Sequence, residues 1–422
     1  MSRFQQVVSL LFFMGFIVGC ENGPNFSPTA PSVVLENDNS MAISETSSAI
    51  TTQNCGNPND QLPDDDLFQR CLDVGGEIRL QTGEPGYIID KGLLLRRSGT
   101  VITSDSVPNK VKIIAGRDLF SFILKTEDTG LHNFSIEYVS FNGMVDERAS
   151  DGPYRRRLGG CGEMSPGNVV LAGRDFSFNH SESKHALCGT GLGLYGKNFK
   201  VIDNNIYSNG RDKNSGTGGL SWSDGMTVLY CGGGYIAHNT VEDNTDIDLV
   251  LGGGRGCVVE LNTITHRDKH AFAGLAIGNF SGDGAGDHSG SEYRSNTVFS
   301  TRPNVLSVGI LVGSHPWSSG VNIRNAGIII ANTSYGNVMN FVVDGVYGGE
   351  ISGNTIRDPQ GEDSLCGRRG ENFTVFPPHS TGTIIQEGWT EMMLDDWSCG
   401  SQSLQSDRLR MFSNGMSNSF RR

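Results

Sequence analysis

A single carboxylate interrupts a row of glycines in this chain. Six short segments align as strands: Gly191-Leu192-Gly193-Leu194, Gly225-Met226-Thr227-Val228, Asp248-Leu249-Val250-Leu251, Gly274-Leu275-Ala276-Ile277, Gly309-Ile310-Leu311-Val312 and Gly345-Val346-Tyr347-Gly348. Period-two alternation sends their second and fourth side chains to one side, as core, and the glycine-led positions to the other, as an outer face. Asp248 is then the lone side chain in the leading row, where glycines let a ligand approach the backbone closely. The segment before it is acidic, with Glu242, Asp243 and Asp246, and the segment before the next strand is basic, with His266, Arg267, Lys269 and His270. If the strands stack as aligned, these segments are neighbours, and Arg255 follows the Asp248 strand. Acid beside base suits general acid/base work, or the binding of a cation together with a substrate carboxylate. A network of ion pairs between neighbouring segments would leave the same trace in sequence.

The elements that must position these residues repeat. An Asn followed by β-branched or aliphatic residues recurs at Asn205-Ile206, Asn239-Thr240-Val241, Asn262-Thr263-Ile264, Asn296-Thr297-Val298, Asn332-Thr333 and Asn354-Thr355-Ile356. A repeat of this length without helical periodicity marks a solenoid, whose units cannot bury their apolar faces alone. Variable spacing then means variable loops on a constant frame. Composition agrees: 57 glycines in 422 residues, without a collagen period, describe a chain of many turns. The net charge of −13 argues against nucleic acid as a partner, since that needs a basic footprint.

With these strands and turns the chain resembles the right-handed parallel β-helix proteins of the pectin-lyase-like superfamily, over roughly residues 65 to 360. The turn in Val201-Ile202-Asp203-Asn204-Asn205-Ile206 is similar to that superfamily's asparagine ladder. Leu67-Phe68-Gln69-Arg70-Cys71-Leu72, then Gly75-Gly76-Glu77-Ile78-Arg79-Leu80, resembles its capping helix and first coil. Pro63 and Asp64 to Asp66 suit the start of such a helix, and Leu67, Phe68, Cys71 and Leu72 form its apolar face. The resemblance implies an all-β fold of about ten coils over residues 55–362, a short N-terminal capping helix, and a C-terminal cap over 363–422.

In that superfamily the outer face of the glycine-led sheet is a polysaccharide groove, so the resemblance implies a carbohydrate-active protein. Three readings stay open. A lyase would eliminate across a uronate, with Lys269, Arg267 or His270 as base and Asp246 with Asp248 as a calcium site. A glycoside hydrolase would use paired carboxylates, Asp246 with Asp248, or Asp224 from the preceding coil. A polysaccharide-binding protein or adhesin needs no chemistry at all. Arg255 and Arg267 are candidates to bind substrate, and Trp222 and Trp317 to stack on sugar rings or pack beneath a loop.

The N-terminus suggests export. Val7 to Gly19 is uncharged and the length of a signal h-region, and Ile17-Val18-Gly19-Cys20 resembles the lipobox of bacterial lipoproteins. That implies a signal peptide over 1–19, lipidation of Cys20, and a tether over 20–54, rich in Ser, Thr, Asn and Pro. The expectation is a monomer anchored in the bacterial envelope, on the outer membrane, facing the periplasm or the surface. Eight further cysteines in an oxidising compartment are expected to pair as neighbours: Cys55 with Cys71, Cys161 with Cys188, Cys231 with Cys257, and Cys366 with Cys399.

Overall fold

The computed structural model describes residues 54–119, 121–151, 167–211, 223–279, 286–313 and 322–363, with the strands Arg368–Arg369, Glu371–Val375 and Ile384–Ile385 beyond. Three parallel sheets, of 11, 10 and 10 strands, carry the chain. Each pass contributes one strand to each sheet in turn, so every third strand is hydrogen-bonded. Lys200–Ile202 of the first sheet pairs with Tyr235–Ala237, Asn205–Tyr207 of the second with Thr240–Glu242, and Ser223–Gly232 of the third with Ile247–Leu251. The solenoid and its coil number match the sequence repeat. No described helix is long and apolar enough to cross a membrane.

At the N-terminal end, the helix Asp65–Val74 buries Phe68, Cys71 and Leu72, while Leu67, expected on the same face, stays half-exposed. The acidic run at its start ties it to the first coil. Asp64 accepts the N–H groups of Asn57 at 2.8 Å and Ile88 at 3.0 Å, and Asp65 accepts those of Asp90 at 3.0 Å and Lys91 at 2.7 Å. Pro63, placed by the sequence in the helix's first turn, lies before it and bridges to Ile88.

Between the first and second sheets runs the asparagine ladder. Asn204 Nδ2 donates to Asn239 Oδ1 at 2.8 Å, and the chain continues through Asn262, Asn296, Asn332 and Asn354 at 2.9 Å per step. The first rung is Asn204, not Asn205. Asn205 opens the following strand and is exposed. The residue before each rung is held at positive φ, as at Asp203, His238 and Leu261.

Inside the solenoid Phe134, Phe176 and Phe199 stack at 4.9 and 5.0 Å. Glycine takes the next position, Gly234, where a Cβ would meet Cys231 Sγ at 2.8 Å and Phe199 Cζ at 2.9 Å. Cys231 thus fills the gap and bonds to Cys257 of the next coil. Cys55 and Cys71 are also bonded, fixing the segment before the capping helix. Cys188 is disulfide-bonded too. Cys161, Cys366 and Cys399 lie outside the described residues, as do residues 1–53 with Cys20, and most of the expected cap.

Candidate active site

The third sheet carries the glycine-led strands, and its faces differ from the sequence expectation. Leu249, Leu251, Leu275 and Ile277 fill the core, as expected, and register defines an outer row through Val170, Gly193, Thr227, Val250, Ala276 and Leu311. The leading glycine row, however, faces inward. A Cβ on Gly225 would meet Val241 Cγ1 at 2.7 Å and Asn244 Nδ2 at 2.6 Å, and one on Gly274 would meet Val298 Cγ1 at 2.4 Å. The chain turns a corner at the strand start, so two successive residues point inside and alternation fails there. Glycine fills the row because the inner corner has no room. For the sixth of the aligned segments the strand is Met339–Val343, with Asn340 in this row, rather than Gly345 to Gly348.

Asp248 is therefore buried in the interior, not open on a groove. Its Oδ1 accepts from Asn244 Nδ2 at 2.8 Å, and Asn244 in turn accepts from Asn209 at 2.7 Å, a second ladder at the corner between the second and third sheets. Its Oδ2 lies 2.5 Å from Nε2 of His266, also wholly buried, and His266 Nδ1 donates to the Lys269 carbonyl at 2.9 Å. Burial pushes the Asp248 carboxyl upward in pKa. For His266 burial works the other way, but the Asp248 carboxylate outweighs it and the imidazole too is raised.

The acidic and basic segments are neighbours, as aligned, and they brace each other. Asp243 Oδ1 accepts the N–H groups of Arg267, Asp268 and Lys269 at 2.8, 3.1 and 3.3 Å, and Arg267 pairs with Glu242 at 3.1 Å. Lys269 Nζ donates to the carbonyls of Ser208 and Gly210, each at 2.9 Å. His270 is exposed at the end of this loop. Arg255 sits at another corner, paired to Asp287 at 2.9 Å; against burial, hydrogen bonds from the Ser289 hydroxyl and N–H, and then Arg255, hold that carboxyl down at about 2. Asp248, expected as a calcium ligand beside Asp246, has its oxygens committed to Asn244 and His266. Among the described residues no group of three His, Cys, Asp or Glu is arranged to hold a metal ion. Trp222 and Trp317 lie outside the described residues.

A different carboxylate pair forms on the outer side. Asp224, one strand position ahead of Gly225, accepts from the Thr227 hydroxyl at 2.8 Å and from the Ile247 N–H at 3.2 Å. Thr227 belongs to the outer row and lies 3.0 Å from the Thr190 hydroxyl of the preceding coil. Asp246 enters the next coil's strand two residues before Asp248, its N–H bonded to the Ser223 carbonyl at 3.2 Å. Only 5% of Asp224 and 8% of Asp246 is exposed. Burial, and next the charge of Asp246, raise the Asp224 carboxyl well above the usual carboxylate range. The sequence had named Asp224, from the preceding coil, as an alternative to the Asp246 and Asp248 pair, and the structure brings Asp224 to Asp246 while Asp248 turns inward.

No protein-family model matches the chain, and no curated protein does. Solved structures do. A tailspike protein of Escherichia coli bacteriophage HK620, in complex with a pentasaccharide, is similar at a TM-score of 0.53 and 12% identity over 79% of this chain and 62% of that one. The three parallel sheets and this likeness decide the fold. The chain is a right-handed parallel β-helix protein. The Dettilon tailspike matches at a TM-score of 0.46 and 14% identity, over 78% of this β-helix protein and 66% of that chain. The A-module of an Azotobacter vinelandii mannuronan C-5 epimerase matches at 0.47 and 14%, over 80% and 97%. This β-helix protein spans less than two thirds of the tailspike chains it matches.

Two neighbouring carboxyls in a dry site cannot both ionise cheaply, so one keeps its proton. Asp224, whose carboxyl is raised by burial and by the charge of Asp246, is the member suited to keep a proton. Such a pair can give a proton to a leaving oxygen and take one from water in a single turnover.

Proposed function

We propose that this β-helix protein is a carbohydrate-active enzyme, a glycoside hydrolase whose acid is Asp224 and whose second carboxylate is Asp246. The observation that carries the reading is the raised proton affinity of Asp224 beside Asp246 on the outer face of the third sheet. In the reaction Asp224 protonates the glycosidic oxygen as the bond from that oxygen to the anomeric carbon breaks. Asp246 takes a proton from the attacking water, or attacks first and is released by water, and water's hydroxyl ends on the anomeric carbon. The pentasaccharide bound to the HK620 tailspike supports a polysaccharide as ligand. Of the three bases named for a lyase, Lys269 has its ammonium engaged by two carbonyls and Arg267 is paired with Glu242, which leaves His270 and makes the hydrolase the better supported reading. The proposal keeps the lipid anchor at Cys20 and a place in the bacterial envelope. Release of a Cys20→Ser variant into the soluble fraction would be the expected sign.

Incubation with a panel of neutral and acidic glycans tests the chemistry. Hydrolysis releases new reducing ends without the ultraviolet absorbance of unsaturated ends, and Asp224→Asn should lower it on the order of 10²–10⁴-fold. Unsaturated products, or full activity in Asp224→Asn, would overturn the assignment.

A further inference from the structure

Two buried threonines connect Asp224 to the preceding coil. In the strand register Thr190 lies opposite Asp224, and Gly193 opposite Thr227. Thr227 Oγ1 is 2.8 Å from Asp224 Oδ2 and 3.0 Å from Thr190 Oγ1, and Thr190 Oγ1 is 3.5 Å from the Gly225 carbonyl. The other carboxyl oxygen, Oδ1, accepts the Ile247 N–H at 3.2 Å. Thr227 is wholly buried and Thr190 nearly so.

A threonine hydroxyl has one hydrogen to give and lone pairs with which to accept. Thr227 has two oxygen neighbours for its one hydrogen, so it donates to one and accepts from the other. With Asp224 ionised, Thr227 donates to Oδ2 and accepts the hydrogen of Thr190. With Asp224 protonated, the Ile247 N–H occupies Oδ1, and the proton on Oδ2 is donated to Thr227. Thr227 then donates to Thr190, and Thr190 to the Gly225 carbonyl. Each hydroxyl finds an acceptor in both states, and the two states differ by the rotation of two hydroxyls. A fixed donor such as the Ile247 N–H favours the ionised form alone, whereas this pair of hydroxyls serves either form. In a dry site a donor left without an acceptor is costly, so the difference matters here.

We propose that Thr227 and Thr190 are positioning residues, a reversible hydroxyl chain that follows the proton of Asp224 and keeps the carboxyl in one place whether it holds that proton or has given it up. An acid used in turnover must lose its proton and regain it in every cycle. The charges acting on Asp224 are that of Asp246, from the next coil, and more weakly that of Asp248, which is paired to His266. The chain reaches it from the preceding coil and carries no charge. Its existence stands on geometry alone, while its use in turnover rests on the carboxylate-pair reading of Asp224 and Asp246.

The test titrates Asp224 directly, by infrared spectroscopy of protein carrying carboxyl-labelled aspartate, as the band that Asp224→Asn removes. Thr227→Val keeps the shape but deletes the donor to the ionised form, so the midpoint should rise by roughly one pH unit. Thr190→Val spares that donor but removes the acceptor that Thr227 needs when the carboxyl is protonated, so the midpoint should fall. Thr227→Ser should restore the wild-type midpoint. Above its midpoint an acid has no proton to give, so the alkaline limb of any glycan cleavage should move up in Thr227→Val and down in Thr190→Val. Midpoints that move the same way in the two valine variants, or stay still while both melt lower, overturn the chain and leave a packing role. Should Thr227→Val not fold, a fall in Thr190→Val with none in Thr227→Ser is the expected result, and a midpoint unmoved in both overturns the chain. Opposite shifts in a protein that cleaves no glycan would remove the hydrolase reading alone. Cleavage that needs Asp224, with a midpoint indifferent to both threonines, would remove the chain alone.

Discussion

Asp246 and Asp248 are two residues apart, yet the inward turn of the strand start gives them opposite surroundings: a partner carboxyl on the outer side for one, an asparagine and a buried imidazole for the other. Their conservative variants should separate accordingly. Asp248→Asn removes the charge that His266 faces and should cost about 1–3 kcal/mol of stability while sparing glycan cleavage. Asn340 shows that an amide fits this row, where it accepts from Asn337 at 3.1 Å. Asp246→Asn should do the reverse, with an unchanged melting midpoint and cleavage lost, and thermal melts beside a reducing-end assay would show a swapped outcome at once. Asp224 makes a prediction in pH. Because its carboxyl is raised in the folded state, the folded chain keeps a proton that the unfolded chain has already released. Stability therefore falls as pH rises from the ordinary carboxylate range through the raised value, and the contribution is full only below that range. Asp224→Asn does not titrate, so its melting midpoint should gain on the wild type as pH rises. A constant difference across the series would mean that Asp224 titrates as an ordinary surface carboxyl.

The elements were largely legible in the sequence, because the strands, the turns and the ladder obey periodicities that a repeat exposes. Neighbouring positions in one turn test the ladder. Asn204→Ala deletes the amide that donates to Asn239 Oδ1 and to the Phe178 carbonyl at 2.8 Å, and should cost about 1–3 kcal/mol. Asn205→Ala, one residue on and exposed, should be nearly silent, and equal melting midpoints for the two would refute the assignment. What strand periodicity could not show is the corner. Alternation assumes an evenly pleated strand, and at the start of the third-sheet strands two successive residues point inside. Reading Asp248 as exposed followed from carrying period two through that bend. The Asp224–Asp246 pairing needed the register between coils, and the second ladder could not be read because its rungs Asn209 and Asn244 carry no repeating sequence mark beside them.

Taken whole, the molecule is braced where its core changes character. The aromatic stack ends at Phe199, Gly234 leaves a gap, and the bridge between Cys231 and Cys257 closes it across adjacent coils. Replacing both cysteines by alanine should lower stability by about 2–4 kcal/mol, measured by denaturant titration, and an unaltered midpoint would count against a bracing role. That pairing was readable because the two cysteines fall in neighbouring repeats. The ladder beside it has a consequence of another kind. Each rung from Asn204 to Asn332 passes its Nδ2 hydrogen to the next rung's Oδ1, always toward the C-terminal end. No amide in such a queue can be reversed alone, because a flipped rung would face donor with donor on one side and acceptor with acceptor on the other. A whole inserted coil with its own asparagine joins the queue without a fault, whereas a fraction of a coil leaves one on both sides of the scar. Such a molecule can grow or shrink in evolution only by quanta of one coil, with all finer variation pushed out into the loops between strands.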